Sequence, residues 1–144
     1  MDTGIILSVL ESGNSVELQA TGCSMFPSLR HGDMVIINPI KTGDLPESGN
    51  IVVFKTNNGL VMHRMVKSAA DNNGEQIIIT RGDCQKENDI PVQLKQIIGV
   101  AVKYKRSGKD NAIRTYIPGR YRYHYNRKLF WLFNKLKRAG LLSQ

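Results

Sequence analysis

Ser24, His63 and one of two acids, Asp83 or Asp89, are the side chains of this 144-residue sequence whose types and settings suit acyl-transfer chemistry. Ser24 lies in Gly22-Cys23-Ser24-Met25-Phe26-Pro27, where a turn would leave backbone N–H groups free to serve an oxyanion. A serine hydroxyl is a poor nucleophile and needs a base. His63, in Met62-His63-Arg64-Met65-Val66, falls within an apolar, alternating pattern, and an imidazole changes charge near neutral pH. Such a base is oriented by a carboxylate that also stabilises its cation. The stretch from Thr80-Arg81-Gly82-Asp83 to Asp89-Ile90-Pro91-Val92 offers two carboxylates, Asp83 and Asp89. Taken singly, each residue has a commoner role. A serine here caps a turn, a strand histidine is hydrogen-bonded in place, and an Asp shapes its own loop. Only the combination points to nucleophile, base and acid.

The elements that must position them are short. The pattern predicts a helix over residues 3–12, with Ile6, Leu7 and Leu10 on one face. Residues 15–20 alternate as a strand, and residues 22–29 read as a turn or short helical piece. Met34 to Asn38 is an apolar strand halted by Pro39, followed by a loop over 41–50. Residues 51–55 are β-rich, and Asn57-Asn58-Gly59 predicts a hairpin into Leu60 to Lys67. Asp71-Asn72-Asn73-Gly74 predicts a second hairpin, into Gln76 to Thr80. Gln93 to Ile98 reads as a helical turn and Gly99 to Arg106 as a last strand. About six short strands with tight turns indicate a compact, mostly antiparallel β domain. The expected division is a domain over 1–106, a linker over 107–120 with Gly108, Pro118 and Gly119, and a basic aromatic segment over 121–144. Within that segment a helix is predicted from Tyr125 to Leu142, with Leu129, Leu132, Phe133 and Leu136 sharing a face.

Hydrophobic residues at 41% and charged residues at 22% are ordinary for a globular protein large enough to bury one core. The formal charge of +8 is unevenly placed. Arg120, Arg122, Arg127, Lys128, Lys135, Lys137 and Arg138 lie in residues 119–144 with no acid among them. The preceding 118 residues carry 13 basic against 12 acidic side chains. A nearly neutral body argues against nucleic acid as a partner and directs any electrostatic partner to the tail. Three readings of the tail follow: a helix docked on its own domain, a helix lying on a membrane surface, or a dock for a partner or substrate. Two cysteines, Cys23 and Cys84, cannot make a disulfide scaffold, which argues against a small secreted module. Reduced thiols are the default, with a Cys23–Cys84 bridge as the alternative. No run approaches the roughly 18 apolar residues of a membrane span, and the N-terminus lacks a secretory n-region. The expected location is cytoplasmic or peripheral at a membrane.

Five segments in order carry a resemblance: Gly22-Cys23-Ser24-Met25-Phe26-Pro27, Gly32-Asp33-Met34-Val35, Gly49-Asn50-Ile51-Val52-Val53-Phe54, His63-Arg64-Met65-Val66 and Arg81-Gly82-Asp83. They resemble the boxes of the signal peptidase I and SOS-repressor self-cleavage superfamily (S24/S26 serine peptidases), over roughly residues 18–103. The resemblance implies a small fold of coiled antiparallel sheets around a peptide-binding groove, here with a C-terminal helix. The superfamily divides by its base. Bacterial-type signal peptidases and self-cleaving repressors use lysine, whereas the endoplasmic-reticulum type has histidine in a His-Arg-Val position. His63 resembles the latter. Lys67 shares its strand face by period two but lies roughly 13 Å along at about 3.3 Å per residue; Lys55, on a neighbouring strand, stays open as an alternative base. The Lys-Gly-Asp-Asn-Asn…Asp-Asp segment of that type corresponds to Arg81-Gly82-Asp83-Cys84-Gln85…Asn88-Asp89. The resemblance thus implies Asp89 as the acid of the triad and Asp83 as the acid that organises the loop.

The implied activity is a serine endopeptidase that cuts leader or signal segments from peptides or proteins, without metal or cofactor. Ser24 attacks, His63 is the base, Asp89 orients it, and Gly22, Met25, Pro27, Arg64 and Asp83 support the site. Some positions depart from the pattern: Cys84 replaces a common Asn, and Gly22 bears on the oxyanion. Signal peptidases often have serine two residues before the nucleophile, whose hydroxyl donates to the oxyanion. Gly22 leaves that task to backbone N–H groups or to Thr21. Neither the membrane anchor of signal peptidases nor the DNA-binding domain of the repressors is evident, so the chain reads as a nearly bare catalytic domain with a basic tail. Two other readings fit the same residues: a non-catalytic peptide-binding homologue, and a repressor-type autoprotease, for which only 23 residues precede Ser24.

Overall fold

Turn chemistry sets the hairpins. Asn57 and Asn58 turn β3 (Ile51–Thr56) directly into β4 (Gly59–Ala70), with Thr56 paired to Gly59. Between β4 and β5 (Gln76–Arg81), the Asp71 carboxylate accepts the N–H groups of Asn73 and Glu75 at 2.8 and 2.9 Å, the local bonding that makes Asp a turn former. The computed structural model describes residues 3–41, 43–119 and 121–142. Arg120 and residues 143–144 of the basic segment, like Met1 and Asp2 of the N-terminus, lie outside the described residues.

The remaining elements are α1 (Thr3–Glu11), β1 (Val16–Gln19), β2 (Met34–Pro39), β6 (Val92–Gln93), β7 (Ile97–Arg106), β8 (Lys109–Ala112) and α2 (Arg122–Arg138). The strands form one mostly antiparallel sheet in the order β1-β2-β7-β3-β4-β5-β6, with β8 paired to β7. β3 is central, and its uninterrupted Ile51-Val52-Val53-Phe54 run is explained by burial on both faces. Ile51 and Val53 join Met25, Leu29, Val35, Ile37 and the α1 residues Ile6 and Leu10 on one side. Val52 and Phe54 join Met65, Ile78, Val92 and Ile97 on the other.

Three expectations are corrected. Residues 109–112, expected within a linker, form β8. Ser107 and Gly108 both adopt positive φ, 51° and 74°, and turn β7 back on itself. The rest of that stretch is pinned to the body: Arg114 O accepts from Arg64, and Pro118 O accepts from Arg81. The helical turn expected over 93–98 shrinks to a single 3-10 turn, Leu94–Gln96, between two strands. In α2 the inward face is Tyr123, Asn126, Phe130 and Phe133, while Leu132, expected to share a face with Phe133, is 45% exposed. The reason is that Phe26 offers an aromatic surface: its ring lies 5.4 Å from the rings of both Phe130 and Phe133. No described helix is long and apolar enough to cross a membrane.

Candidate active site

Ser24 opens a tight turn over residues 24–28, held by Phe26 N–H to Cys23 O and Leu29 N–H to Met25 O. Met25 is buried beneath it in the first core, and Phe26 and Pro27 continue the turn through a cis peptide bond. Among the described residues, the N–H groups of Ser24 and Met25 have no acceptor. A helical turn leaves such donors free at its start. A Cβ added at Gly22 would meet nothing within 4 Å, so the position lacks a side chain without being crowded.

β4 brings His63 to this turn. His63 pairs with Val52 in the sheet and is 7% exposed. Its Nε2 lies 2.9 Å from Ser24 Oγ and its Nδ1 lies 2.6 Å from Asp89 Oδ2. Asp89 follows β5; its N–H donates to Thr80 O, and its Oδ2 also accepts the Thr80 hydroxyl at 2.7 Å. Burial pushes the Asp89 carboxyl up, but the hydrogen bonds from His63 and Thr80 and the His63 charge outweigh it and hold the group below its usual value. Asp89 is therefore an anion through the neutral range and accepts from Nδ1–H. That tautomer leaves Nε2 free to accept the Ser24 proton.

Asp83 does not touch His63. Its carboxylate is buried with Arg64, which donates Nε–H to Oδ1 at 2.8 Å and Nη2–H to Oδ2 at 2.9 Å. Arg64 also donates to Gly49 O, Arg114 O and Ser28 Oγ, and its guanidinium lies 4.3 Å from the Tyr116 ring centroid. The backbone after Asp83 then reaches Ser24: Cys84 N–H donates to Ser24 O at 2.8 Å. Gly82 makes this approach possible, because a Cβ there would fall 2.9 Å from Ser24 O and 3.0 Å from Ser24 Cβ.

Neither lysine takes the place of His63. A β-bulge between Met65 and Lys67 breaks the period-two argument for Lys67, which is exposed. Lys55 is also exposed and pairs with Leu60, three residues along β3 from Val52. Cys23 and Cys84 are free thiols, Cys23 exposed and Cys84 half-buried. Burial, with the Asp83 charge, pushes the Cys84 thiol up to about 11, and its S–H donates to Phe26 O. Maleimide at neutral pH is expected to modify Cys23 well before Cys84; equal rates, followed by peptide mapping, would contradict this environment.

The Peptidase S24-like family profile matches residues 5–102, most of the chain and every residue from the Ser24 turn to Asp89. The chain belongs to the Peptidase S24-like family. Within curated proteins it is 28% identical over 117 residues to the signal peptidase complex catalytic subunit of Lachancea thermotolerans, and 26% identical over 116 residues to that of Eremothecium gossypii. Each alignment takes in 78% of this chain, and the chain spans 66% and 65% of those relatives.

Several contributors escape sequence reasoning. Thr80 and Gly82 lie beside the acids in sequence, but nothing local gives either a role. Ser28 and Tyr116, on the Arg64 network, and Asn126, in α2, gave no local signal; only the folded chain brings them to the site.

Proposed function

We propose that this S24-like domain is a serine endopeptidase of the signal-peptidase type with Ser24 as nucleophile, His63 as general base and Asp89 as orienting acid. The continuous line from Ser24 Oγ through the His63 ring to Asp89 Oδ2 carries the reading. In this reading Ser24 Oγ attacks the scissile carbonyl carbon while its proton passes to Nε2. The Asp89 carboxylate stabilises the imidazolium, which then protonates the leaving amine. Water hydrolyses the acyl-enzyme by the same proton path. The developing oxyanion is served by backbone N–H groups of the Ser24 turn. The substrate is an extended peptide lying in the open cleft beside His63 and Asp89, whose apolar lining includes Phe54, Val61, Ile90 and Val92. The names of the two relatives support leader or signal segments as the substrate class. A fluorophosphonate probe tests the chemistry: it should label the protein once, at Ser24 by peptide mapping. Absence of labelling would favour a domain that only binds peptides.

The outward face of α2 supports a membrane surface as the setting. Tyr125, Trp131 and Leu132 are exposed there beside Lys128 and Lys135, and the helix has no acidic residue. Aromatic and cationic side chains together suit an anionic interface. Liposomes containing phosphatidylserine should float the full chain at low salt and leave a Lys128→Glu/Lys135→Glu variant in the bottom fraction; equal recovery would remove the membrane from this reading.

A further inference from the structure

α2 lies outside the segment matched to the family, yet one of its side chains is inserted into the backbone that holds the nucleophile. Asn126 is 1% exposed. Its Nδ2 donates to Asp83 O at 2.9 Å. That carbonyl and the Cys84 N–H belong to the same peptide group, and the Cys84 N–H donates to Ser24 O at 2.8 Å. Ser24 O in turn shares its peptide group with the Met25 N–H, which has no acceptor among the described residues. An unbroken chain of amide dipoles thus runs from the Asn126 side chain, through peptide 83–84, into peptide 24–25. Hydrogen bonds in such a chain polarise one another, and both ends of peptide 83–84 are held. The same helix presses Phe130 and Phe133 against Phe26, two residues after Ser24.

We infer that Asn126 is a positioning residue for Ser24: from α2 it fixes peptide 83–84, and through it the plane of peptide 24–25 on which the nucleophile and its neighbouring oxyanion donors are set. This rests on the serine-endopeptidase reading for its catalytic consequence, though not for its structural one. Asn126 touches neither substrate nor the reacting atoms. Its effect is on the geometry from which Ser24 attacks, where small displacements have large kinetic consequences.

The test compares Asn126→Leu, close in size but without a donor, with Ile6→Ala. Ile6, on α1, is 4% exposed in the first core and makes none of the hydrogen bonds that join Ser24, His63, Asp89 and Asn126 to their partners. Both variants should lower the melting temperature. At a temperature where both are fully folded, Asn126→Leu should slow fluorophosphonate labelling of Ser24 by about tenfold or more, and lower kcat on a leader peptide with little change in KM. Ile6→Ala should label at the wild-type rate. Amide hydrogen exchange gives a readout that needs no activity. The Cys84 N–H should lose protection in Asn126→Leu while the β3 and β4 amides keep theirs. If Asn126→Leu labels like wild type, or if Cys84 keeps its protection, Asn126 is only a packing residue of α2 and the proposal is overturned. If wild-type Ser24 takes no label at all, the endopeptidase reading fails instead, and the exchange measurement still decides whether Asn126 holds the turn.

Discussion

Replacing Ser24 with alanine is expected to lower kcat for peptide cleavage by a factor on the order of 10^6 while leaving the melting temperature nearly unchanged. The hydroxyl is half-buried, and its side-chain partner is the His63 ring. Its loss removes the proposed nucleophile without disturbing the core, and Ala occupies the same backbone. In the proposed mechanism Ser24 and His63 act as one unit, so His63→Ala should cost a similar factor, and the double variant should be no worse than either. Asp89→Asn should cost less, about 10^4-fold. An amide at position 89 can donate to Nδ1 and so put the ring proton on Nε2, the wrong tautomer for accepting from Ser24. The Asp89 carboxyl already titrates below its usual value, so it stays ionised until the pH is well into the acid range. An acid limb of the rate profile near neutrality would then not be the titration of Asp89. Ser24→Ala retaining cleavage within tenfold of wild type would move the chemistry to another residue.

What could be read in advance was local, and what could not was made by distant parts of the chain meeting. The Asn57-Asn58-Gly59 and Asp71–Gly74 turns were legible because their bonding is confined to a few residues. The strand character of β3 was legible in its β-rich run. Ser24, His63 and Asp89 stood out through the resemblance, which orders the boxes that carry them. β8 was not legible: Lys-Asp-Asn-Ala has neither apolar alternation nor β-branched residues, and it becomes a strand only because the turn at Ser107–Gly108 lays it on the edge of β7. The bulge in β4 was equally silent, and it undid the facing assigned to Lys67. The docked face of α2 depended on Phe26, about a hundred residues earlier, which no helical periodicity could reveal. Arg64 was named as a support, but the number and spread of its partners, from Ser28 to Arg114, is a property of the assembled sheet.

That network sets the largest expected effect on stability. Arg64 and Asp83 are 1% and 2% exposed and joined by two parallel hydrogen bonds, the fork geometry in which a guanidinium meets a carboxylate most strongly. Arg64→Met keeps much of the stem's volume and leaves the Asp83 carboxylate buried without its cation. Breaking a buried pair from one side costs about 3–5 kcal/mol, far more than the net worth of the pair itself. Gly49 O and Arg114 O lose their donor in the same step. For a chain of this length the melting temperature should fall by roughly 10–15 °C, read by near-ultraviolet circular dichroism. Removing the stranded charge as well, in Arg64→Met/Asp83→Asn, should restore part of the loss, because the unpaired carboxylate is the main penalty. Activity should follow a different course. Asp83 precedes the peptide that holds Ser24 O, so Arg64→Met should cut the labelling rate at Ser24 even below its melting point, and the double variant should recover stability more than rate. A fall of only two or three degrees would mean that water reaches Asp83 when Arg64 is gone, and that the pair is not the keystone between the Ser24 turn, β4 and the 113–118 segment.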